Sequence, residues 1–263
     1  MPPKISILMP VHNGAKYLPK VIENILAQTF VDFELVMIND GSTDSSWRIM
    51  SELVTKDQRI KLITNTDNLG ITKSLNIGLE KCQGKYIARA DVDDLYDPDR
   101  LKEQYEFMEA EPDVALCGSL GWYIDEGGQK VGEKNLPLKY SEIKEKLLFN
   151  NQFIHSSLFI RKSILDKEGF YNESFKASQD YELVVRLARK YRLVNLPNRL
   201  VSWRVSHNSL SWSGKRQEWD AIRTRYWAIT KYGYPKLKGL NNILLRLIWF
   251  VVPQRLKIRR YKK

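Results

Sequence analysis

Cysteine is scarce in this sequence. The only two, Cys82 and Cys117, lack the spacing of a metal-ligand pair. No basic segment, apolar run and cleavage site come together at the start, where "MPPKISILMPVHNG" leads directly into a strand-like segment. Both absences point to a reducing, cytoplasmic setting. No segment recurs at a fixed period, which disfavours solenoids and propellers. The mostly apolar run "ILLRLIWFVV" near the C-terminus has about half of the roughly 20 residues needed to span a bilayer.

The common phosphate and cation loops are missing too. A Walker loop needs Gly-Lys after its spacer, whereas Gly127 to Gly132 continues into Glu133, and no Gly-x-Gly-x-x-Gly follows the first strand. A calcium loop opening at Asp91 fails at Leu95, Tyr96 and Lys102. P-loop, ordinary dinucleotide-binding and EF-hand readings are thereby removed.

The composition is that of a globular chain, with 43% hydrophobic and 28% charged residues over 263 positions. That length fits one large domain or a domain with an appendage. The formal charge of +11 invites a nucleic-acid reading, but six cationic residues between Arg255 and Lys263 supply much of it, leaving +5 for residues 1–254. No nucleic-acid partner is expected.

The first half alternates β-rich runs ("ISILMPV", "FELVMIND", "IKLITN", "KYIARADVDD") with amphipathic stretches such as "YLPKVIENILAQT" and "ITKSLNIGLEKC". This pattern predicts an α/β fold with a mostly parallel, Rossmann-like sheet, and ligands at the carboxyl ends of its strands. Three strand ends carry short polar sequences, "PVHNG", "NDGSTD" and "RADVDD", expected to converge on one crevice. Further on, "VALCGSLGWYI" and "FIHSSLFIRK" read as strands, and "YSEIKEKLLFN" and "YELVVRLARKY" as helices.

"ARADVDDLYDPDR" sets Asp91, Asp93, Asp94, Asp97 and Asp99 close together. Like charges at that spacing destabilise one another unless solvent, a donor or a cation relieves them. Asp97 and Asp99 flank Pro98 as turn and helix-start residues. Asp91 and Asp93, on one side of an extended chain, suit a hard cation whose open positions take phosphate oxygens; an acidic turn is the alternative. Asp40 in "INDGSTD" suits the N3–H of a uracil-like base, or is a turn acid before a Ser42 or Asp44 cap. "PVHNG" is a loop gripping a base edge or a plain turn, and in "NTDNLGITKSLN" Asn68 and Gly70 form a turn with Lys73 near a phosphate or a helix start.

In order and joint presence, "ISILMPVHNG", "NDGSTD" and "NLGITKSLNIGLEKCQGKYIARADVDD" resemble the family 2 inverting glycosyltransferases of glycosyltransferase-A fold, over about residues 4–210. The resemblance implies that Pro10, Val11 and Asn13 line the base and ribose pocket and Asp40 reads the base. Asn68 and Lys73 would lie near the nucleotide, Asp91 would contact ribose or metal-bound water, Asp93 would ligate Mn2+ or Mg2+, and Asp94 would approach the sugar. In "ASQDYELVVR" Asp180 matches the catalytic base, although Gln179 replaces the acid usual before it; the plain reading is a first-turn carboxylate with Ser178 as cap. "WRVSHNSLS" offers His207 as a metal ligand and Arg204 as a phosphate contact, or a solvent-facing loop. His155 and Ser156 match a segment near donor sugar and acceptor.

The implied reaction moves a sugar from a UDP- or dTDP-sugar to a saccharide or lipid-linked acceptor, in cell-surface polysaccharide synthesis. A nucleotidyltransferase of related fold would favour a Gly-rich basic loop that "PVHNGAKYLPK" lacks, and a silent binding protein would not keep both metal aspartates and base. Residues 1–210 are expected to form the catalytic domain, with a nucleotide half to about residue 100 and an acceptor half from there. Residues 211–263 are expected to form a basic aromatic helical tail. Its residues 243–263 either rest on the inner face of a membrane, held by anionic lipid, or pack on the domain.

Overall fold

The computed structural model describes residues 1–205 and 215–251, with side chains to residue 248. The expected α/β architecture is present. β1 (Ile5–Val11), β2 (Phe33–Asp40), β3 (Ile60–Asn65) and β4 (Tyr86–Arg89) pair in parallel in the order β3-β2-β1-β4. β1 and β2 are buried along almost their whole length, as parallel strands covered on both faces must be. The connections are α1 (Leu18–Leu26), α2 (Ser46–Val54) and α3 (Ile71–Lys81). Gly78 brings α3 against the sheet, since a Cβ there would lie 2.4 Å from Leu8 Cδ1.

The second half of the sheet is mixed. β5 (Leu95–Tyr96) and α4 (Arg100–Ala110) precede the long β6 (Val114–Ile124), which pairs with β7 (Lys130–Lys134). α5 (Tyr140–Lys146) follows, and then β8 (Phe159–Arg161), which inserts antiparallel between β4 and β6. Beyond α6 (Lys162–Glu168) and α7 (Gln179–Ala188), β9 (Arg192–Arg204) lies parallel to β6 and carries β5 on its outer edge. The expected strand "FIHSSLFIRK" is strand only over Phe159–Arg161. His155–Ser157 form a 3₁₀ turn instead, with the Ser157 hydroxyl donating to the Ile154 carbonyl at 2.8 Å, the local competition with strand pairing that serine offers.

The order β4-β8-β6-β9-β5 sets a geometric demand. Four strand spacings of about 4.8 Å come to roughly 19 Å in a flat sheet, about what six residues reach when fully extended. The chain from Arg89 to Leu95 includes a turn at residues 92–93, so the sheet curls until its strand ends approach.

Two apolar layers cover the sheet. One contains α1, Leu101 and Met108 of α4, and the odd-numbered core residues Ile5, Ile7 and Met9 of β1; the other contains Leu75 and Leu79 of α3 and most of α7. The boundary expected at residue 211 assigns α8 (Lys215–Thr230) to the tail, but Ala221, Ala228 and Ile229 of that helix belong to the second layer. Asp220 Oδ2 accepts from the backbone N–H groups of Lys176 and Ala177, fixing the chain just ahead of α7. α9 (Lys236–Val251) lies on α8 at Gly239, where a Cβ would come within 2.0 Å of Ile229 Cγ2, and Arg246 pairs with Glu218 at 2.5 Å.

Candidate active site

The three polar strand ends lie side by side, as the parallel pairing of β1 with β2 and β4 requires, and the first two are stitched together by side chains. Asn13 has a left-handed backbone (φ 53°), a conformation asparagine tolerates. Its Oδ1 accepts from the Thr43 and Asp44 backbone N–H groups at 2.8 and 3.3 Å. Ala15 N–H donates to Asp44 Oδ2, and Gly14 N–H to Ser46 Oγ. Asn13 therefore joins the loops that follow β1 and β2. Val11 is buried in β1, so its contribution to a ligand would come from its backbone, while Pro10 is half-buried beside it.

Asp40 is buried at the end of β2. Its Oδ1 accepts from Asn65 Nδ2 (3.0 Å) and Leu69 N–H (2.8 Å), and its Oδ2 from Gly70 N–H (3.0 Å). This carboxylate holds the β3–α3 loop, and the remaining lone pair of Oδ2 is what it can offer a base. Gly41 (φ +61°) packs so closely on that loop that a Cβ would sit 2.5 Å from Asn68 N. His12 completes the wall: Nδ1 lies 2.8 Å from the Asp40 carbonyl and Nε2 3.1 Å from Asn68 Nδ2, so the ring donates from Nδ1 and accepts at Nε2. Lys73, half-buried in the first turn of α3, has no side-chain hydrogen-bond or ion-pair partner among the described residues. Its ammonium group is available to an anion.

The aspartate segment departs from its expected shape. β4 ends at Arg89 and residues 92–93 turn, with Asp94 N–H 3.4 Å from the Asp91 carbonyl, so Asp91 and Asp93 do not share a side by strand alternation. Buried Arg89 pairs through Nη2 with Asp91 Oδ1 at 2.5 Å, and the Tyr96 hydroxyl fixes the Asp91 backbone, accepting from its N–H at 2.7 Å. The Asp93 carboxylate receives no hydrogen bond from another side chain among the described residues. Burial first, and then the charge of Asp91, push its pKa up to about 6.

Asp94, expected at the sugar, is 1% exposed, and both its oxygens are occupied. Oδ2 accepts from the Ser156 hydroxyl and Oδ1 from the Arg204 N–H at 2.9 Å. Burial, with Asp93 and Asp91 beside it, raises its pKa well above the usual range. Arg204, expected at a phosphate, is also buried: Nε donates to the Asp93 carbonyl at 2.7 Å and Nη1 to the Asp125 and Glu126 carbonyls. Both residues fasten the aspartate turn, tying it to β9, the 3₁₀ turn and the β6–β7 hairpin. His207 lies outside the described residues.

A divalent cation suits this turn. Among the described residues no three His, Cys, Asp or Glu side chains form a ready ligand cluster. The Asp93 carboxylate, without a side-chain partner among the described residues and raised in pKa by burial and then by Asp91, is nevertheless the kind of oxygen donor that a hard cation relieves.

On the other wall, Asp180 stands in the first turn of α7, half-buried, and its Oδ2 accepts from Asn151 Nδ2 at 2.8 Å. Ser178 occupies the N-cap position but makes no cap; it is left-handed (φ 53°) and its hydroxyl donates to the Gln217 carbonyl at 3.3 Å. His155 and Tyr171 form a part-buried pair, with Nε2 3.0 Å from the hydroxyl. Burial, then the positive charge of Arg89, lower the His155 pKa to about 4, opposed by the carboxylates of Asp180 and Asp91. The same two aspartates help raise the pKa of Tyr171, after burial. Asp91 and Asp180, 89 residues apart in sequence, thus act on one imidazole–phenol pair.

His12, Asn65, Arg89, Tyr96, Asn151 and Tyr171 were not singled out by sequence reasoning. Four stand within or next to the polar motifs, so proximity to a motif was the available signal; Asn151 and Tyr171 had none.

The description of the glycosyl transferase family 2 matches residues 6–169, and the chain belongs to that family. It is 32% identical over 254 residues to an uncharacterised glycosyltransferase of Methanocaldococcus jannaschii, covering 94% of this chain and 86% of the relative. It is 28% identical to the amylovoran biosynthesis glycosyltransferase AmsE of Erwinia amylovora, covering 98% of both. The O-antigen biosynthesis glycosyltransferase WbnJ of Escherichia coli is 33% identical over 78% of this chain and 81% of its own. Among solved structures, S. aureus TarS in complex with UDP-GlcNAc superposes with a TM-score of 0.74 at 17% identity, over 93% of this chain and 71% of that one. The mannosyltransferase PcManGT of Pyrobaculum calidifontis, in complex with GDP-Man and Mn2+, gives 0.69 at 16%, over 95% and 70%. These two share the fold.

Proposed function

We propose that this glycosyltransferase moves a sugar, with inversion, from a UDP- or dTDP-sugar to a saccharide or lipid-linked saccharide in the synthesis of a cell-surface polysaccharide. The reading is supported by Asp91 and Asp180 lying near enough for both charges to act on the hydrogen-bonded His155–Tyr171 pair. With Asp91 on the donor side and Asp180 as base, the two would stand on either side of one reacting centre, as single in-line displacement requires. Relatives named for amylovoran and O-antigen synthesis support the polysaccharide context.

Asp93, with Asp91 beside it, would hold Mn2+ or Mg2+. The cation supplies charge neutralisation for the leaving diphosphate. The loops joined by Asn13 and Asp40 bind base and ribose, and Lys73 meets a phosphate. Asp180 takes the proton of the acceptor hydroxyl; Asn151 holds one of its oxygens and leaves the other to face the nucleophile. Neutral His155 and the Tyr171 hydroxyl form the floor between the two substrates.

The outer face of α9 supports a peripheral membrane contact. Leu237, Leu240, Leu244, Leu247 and Ile248, 42–86% exposed, follow one stripe of the helix, and the cationic residues from Arg255 onward come next in sequence. An apolar stripe beside clustered positive charge is what an anionic lipid surface complements, and a cytoplasmic enzyme would meet it on the inner leaflet. Among the described residues no helix is long and apolar enough to cross a membrane.

The deciding experiment is calorimetric titration with UDP, dTDP and GDP, each with and without Mn2+. Metal-dependent binding of UDP or dTDP supports the reading; binding of GDP alone changes the donor, and no binding under any condition ends it.

A further inference from the structure

Next to Asp180 lies an open cleft of about 500 Å³ between α5, the loop after it and α9. Its wall is unusually well fixed. The Leu147 carbonyl accepts from the Tyr181 hydroxyl at 2.6 Å, and the Leu148 and Phe149 carbonyls accept from the buried guanidinium of Arg225 at 2.8 and 2.5 Å. Gln152 Nε2 closes the loop on the Asn150 carbonyl at 2.6 Å. On this rigid support the Phe149 side chain projects outward, 59% exposed, into the cleft. Such order leaves an exposed ring with little conformational entropy to lose on binding.

The rest of the lining is polar and mainly positive. Asn150 and Asn151 present amides, and Asn151 belongs both to the cleft and to Asp180, through its 2.8 Å hydrogen bond. Lys146 of α5 and Lys238 of α9 both line the cleft, neither ammonium group with a hydrogen-bond or ion-pair partner among the described residues. Lys134, which lies over the Tyr123 and Trp203 rings, adds a third positive charge, and Glu145 is the single acid.

We propose that this cleft is the acceptor subsite and that it takes a saccharide carrying a phosphate-type anion. The sugar's apolar face lies on Phe149, its hydroxyls meet the Asn150 and Asn151 amides, and its anionic group sits between Lys146 and Lys238. A neutral glycan would leave those two exposed ammonium groups to solvent, whereas an anion pairs with them. The side chain shared by the cleft and Asp180 delivers one hydroxyl of the bound saccharide to the base. The inference rests on Asp180 as that base, and it narrows the acceptor to a class: a saccharide phosphate, free or carried on a lipid.

The test uses the whole chain and α-D-glucose 1-phosphate as probe, titrated by calorimetry with and without saturating UDP and Mn2+. Methyl glucoside and inorganic phosphate serve as the two half-probes. The expected result is binding of glucose 1-phosphate at least tenfold tighter than either half-probe. It should weaken about tenfold in Lys146→Gln/Lys238→Gln and in Phe149→Ala, with the UDP dissociation constant unchanged in both. A short-chain polyprenyl phosphate glucose binding tighter than glucose 1-phosphate assigns the lipid-carried source; equal affinity assigns the free one. Inorganic phosphate binding as tightly as the sugar phosphate, unaffected by Phe149→Ala, makes the cleft a simple anion site and overturns the proposal. So does sugar-phosphate binding that the lysine substitutions leave intact, or none at all. UDP binding is measured separately, so its absence sinks the donor assignment without altering what the sugar-phosphate titration says of the cleft.

Discussion

Asn151 donates from Nδ2 to Asp180 Oδ2 at 2.8 Å, and this bond joins the loop after α5 to the first turn of α7. The carboxylate therefore has one oxygen committed and the other without a hydrogen-bond partner among the described residues. Asp180→Asn is expected to leave UDP affinity unchanged and lower transfer by about 10²–10⁴-fold, the usual worth of a positioned general base. Asn151→Ala should lower kcat by a smaller factor with donor KM unaffected, as steady-state kinetics would register. Full transfer by the Asp180 variant removes it from the mechanism.

Asp93 offers a test that separates metal binding from folding. Its pKa, pushed up to about 6 against an ordinary 3.8, means that the folded chain binds more protons than the unfolded one between those values. Its contribution to stability therefore falls as pH rises through that window, and the penalty is fully present above about pH 6. In metal-free buffer at pH 7.5 the Asp93→Asn variant should melt higher than the wild type. Adding Mn2+ should raise the wild-type Tm and leave the variant where it was, a pairing that differential scanning calorimetry can confirm or refute.

His155 carries the opposite slope. Its pKa is lowered to about 4 by burial and Arg89, while the unfolded chain protonates a histidine near 6.5. The unfolded state gains the extra proton first as pH falls, so the contribution of His155 to stability is intact above about pH 6.5 and is lost on the way down to about 4. His155→Gln should flatten that part of the Tm–pH curve, and at pH 7 the group should add no titration to the activity profile.

Gly41→Ala should be costly far beyond its one carbon. The position has a left-handed φ of +61° and no room, with backbone atoms of Asp67 and Asn68 2.5 Å from the added methyl. Strain of this kind costs on the order of 1–3 kcal/mol. Because the displaced loop is the one Asp40 holds, nucleotide affinity should drop together with the melting temperature; an unchanged UDP titration would show that the loop does not shape the pocket.

Sedimentation with vesicles addresses α9. Binding to phosphatidylglycerol-containing vesicles, weakened by salt and lost in Leu240→Glu/Leu244→Glu, is the expected outcome. Equal binding to neutral vesicles, or a change in oligomeric state in place of vesicle binding, would assign the stripe to another contact.

The parallel half of the sheet was legible because β1 and β2 are buried on both faces and therefore read as unbroken apolar runs. The polar strand ends were legible for a related reason, since short polar residues following such runs have few structural purposes. Burial of charge was not legible. Nothing in "DVDD" distinguishes Asp93, whose carboxylate has no side-chain partner among the described residues, from Asp94, whose oxygens are taken by Ser156 and Arg204 from distant segments. Arg204 reads as a phosphate ligand until its donors are found on three carbonyls. The 3₁₀ turn at His155 was lost among strand-forming neighbours, because its cause is serine hydroxyls bonding locally. α8 was assigned to a tail on its aromatic, basic composition, which conceals the few small residues that pack it into the core.

The passage from Arg89 to Leu95 is anchored in strands on both sides, β4 at one end and β5 against the outer edge of β9 at the other. Its length is thus a dimension of the curled sheet. Substitutions along it change chemistry one side chain at a time, whereas an inserted or deleted residue has no slack to enter. It would slide β5 one step along β9 and exchange the buried Tyr96 for the neighbour facing the other way. Descendants of this chain can alter what the aspartate turn binds, but the number of residues in it is closed to change.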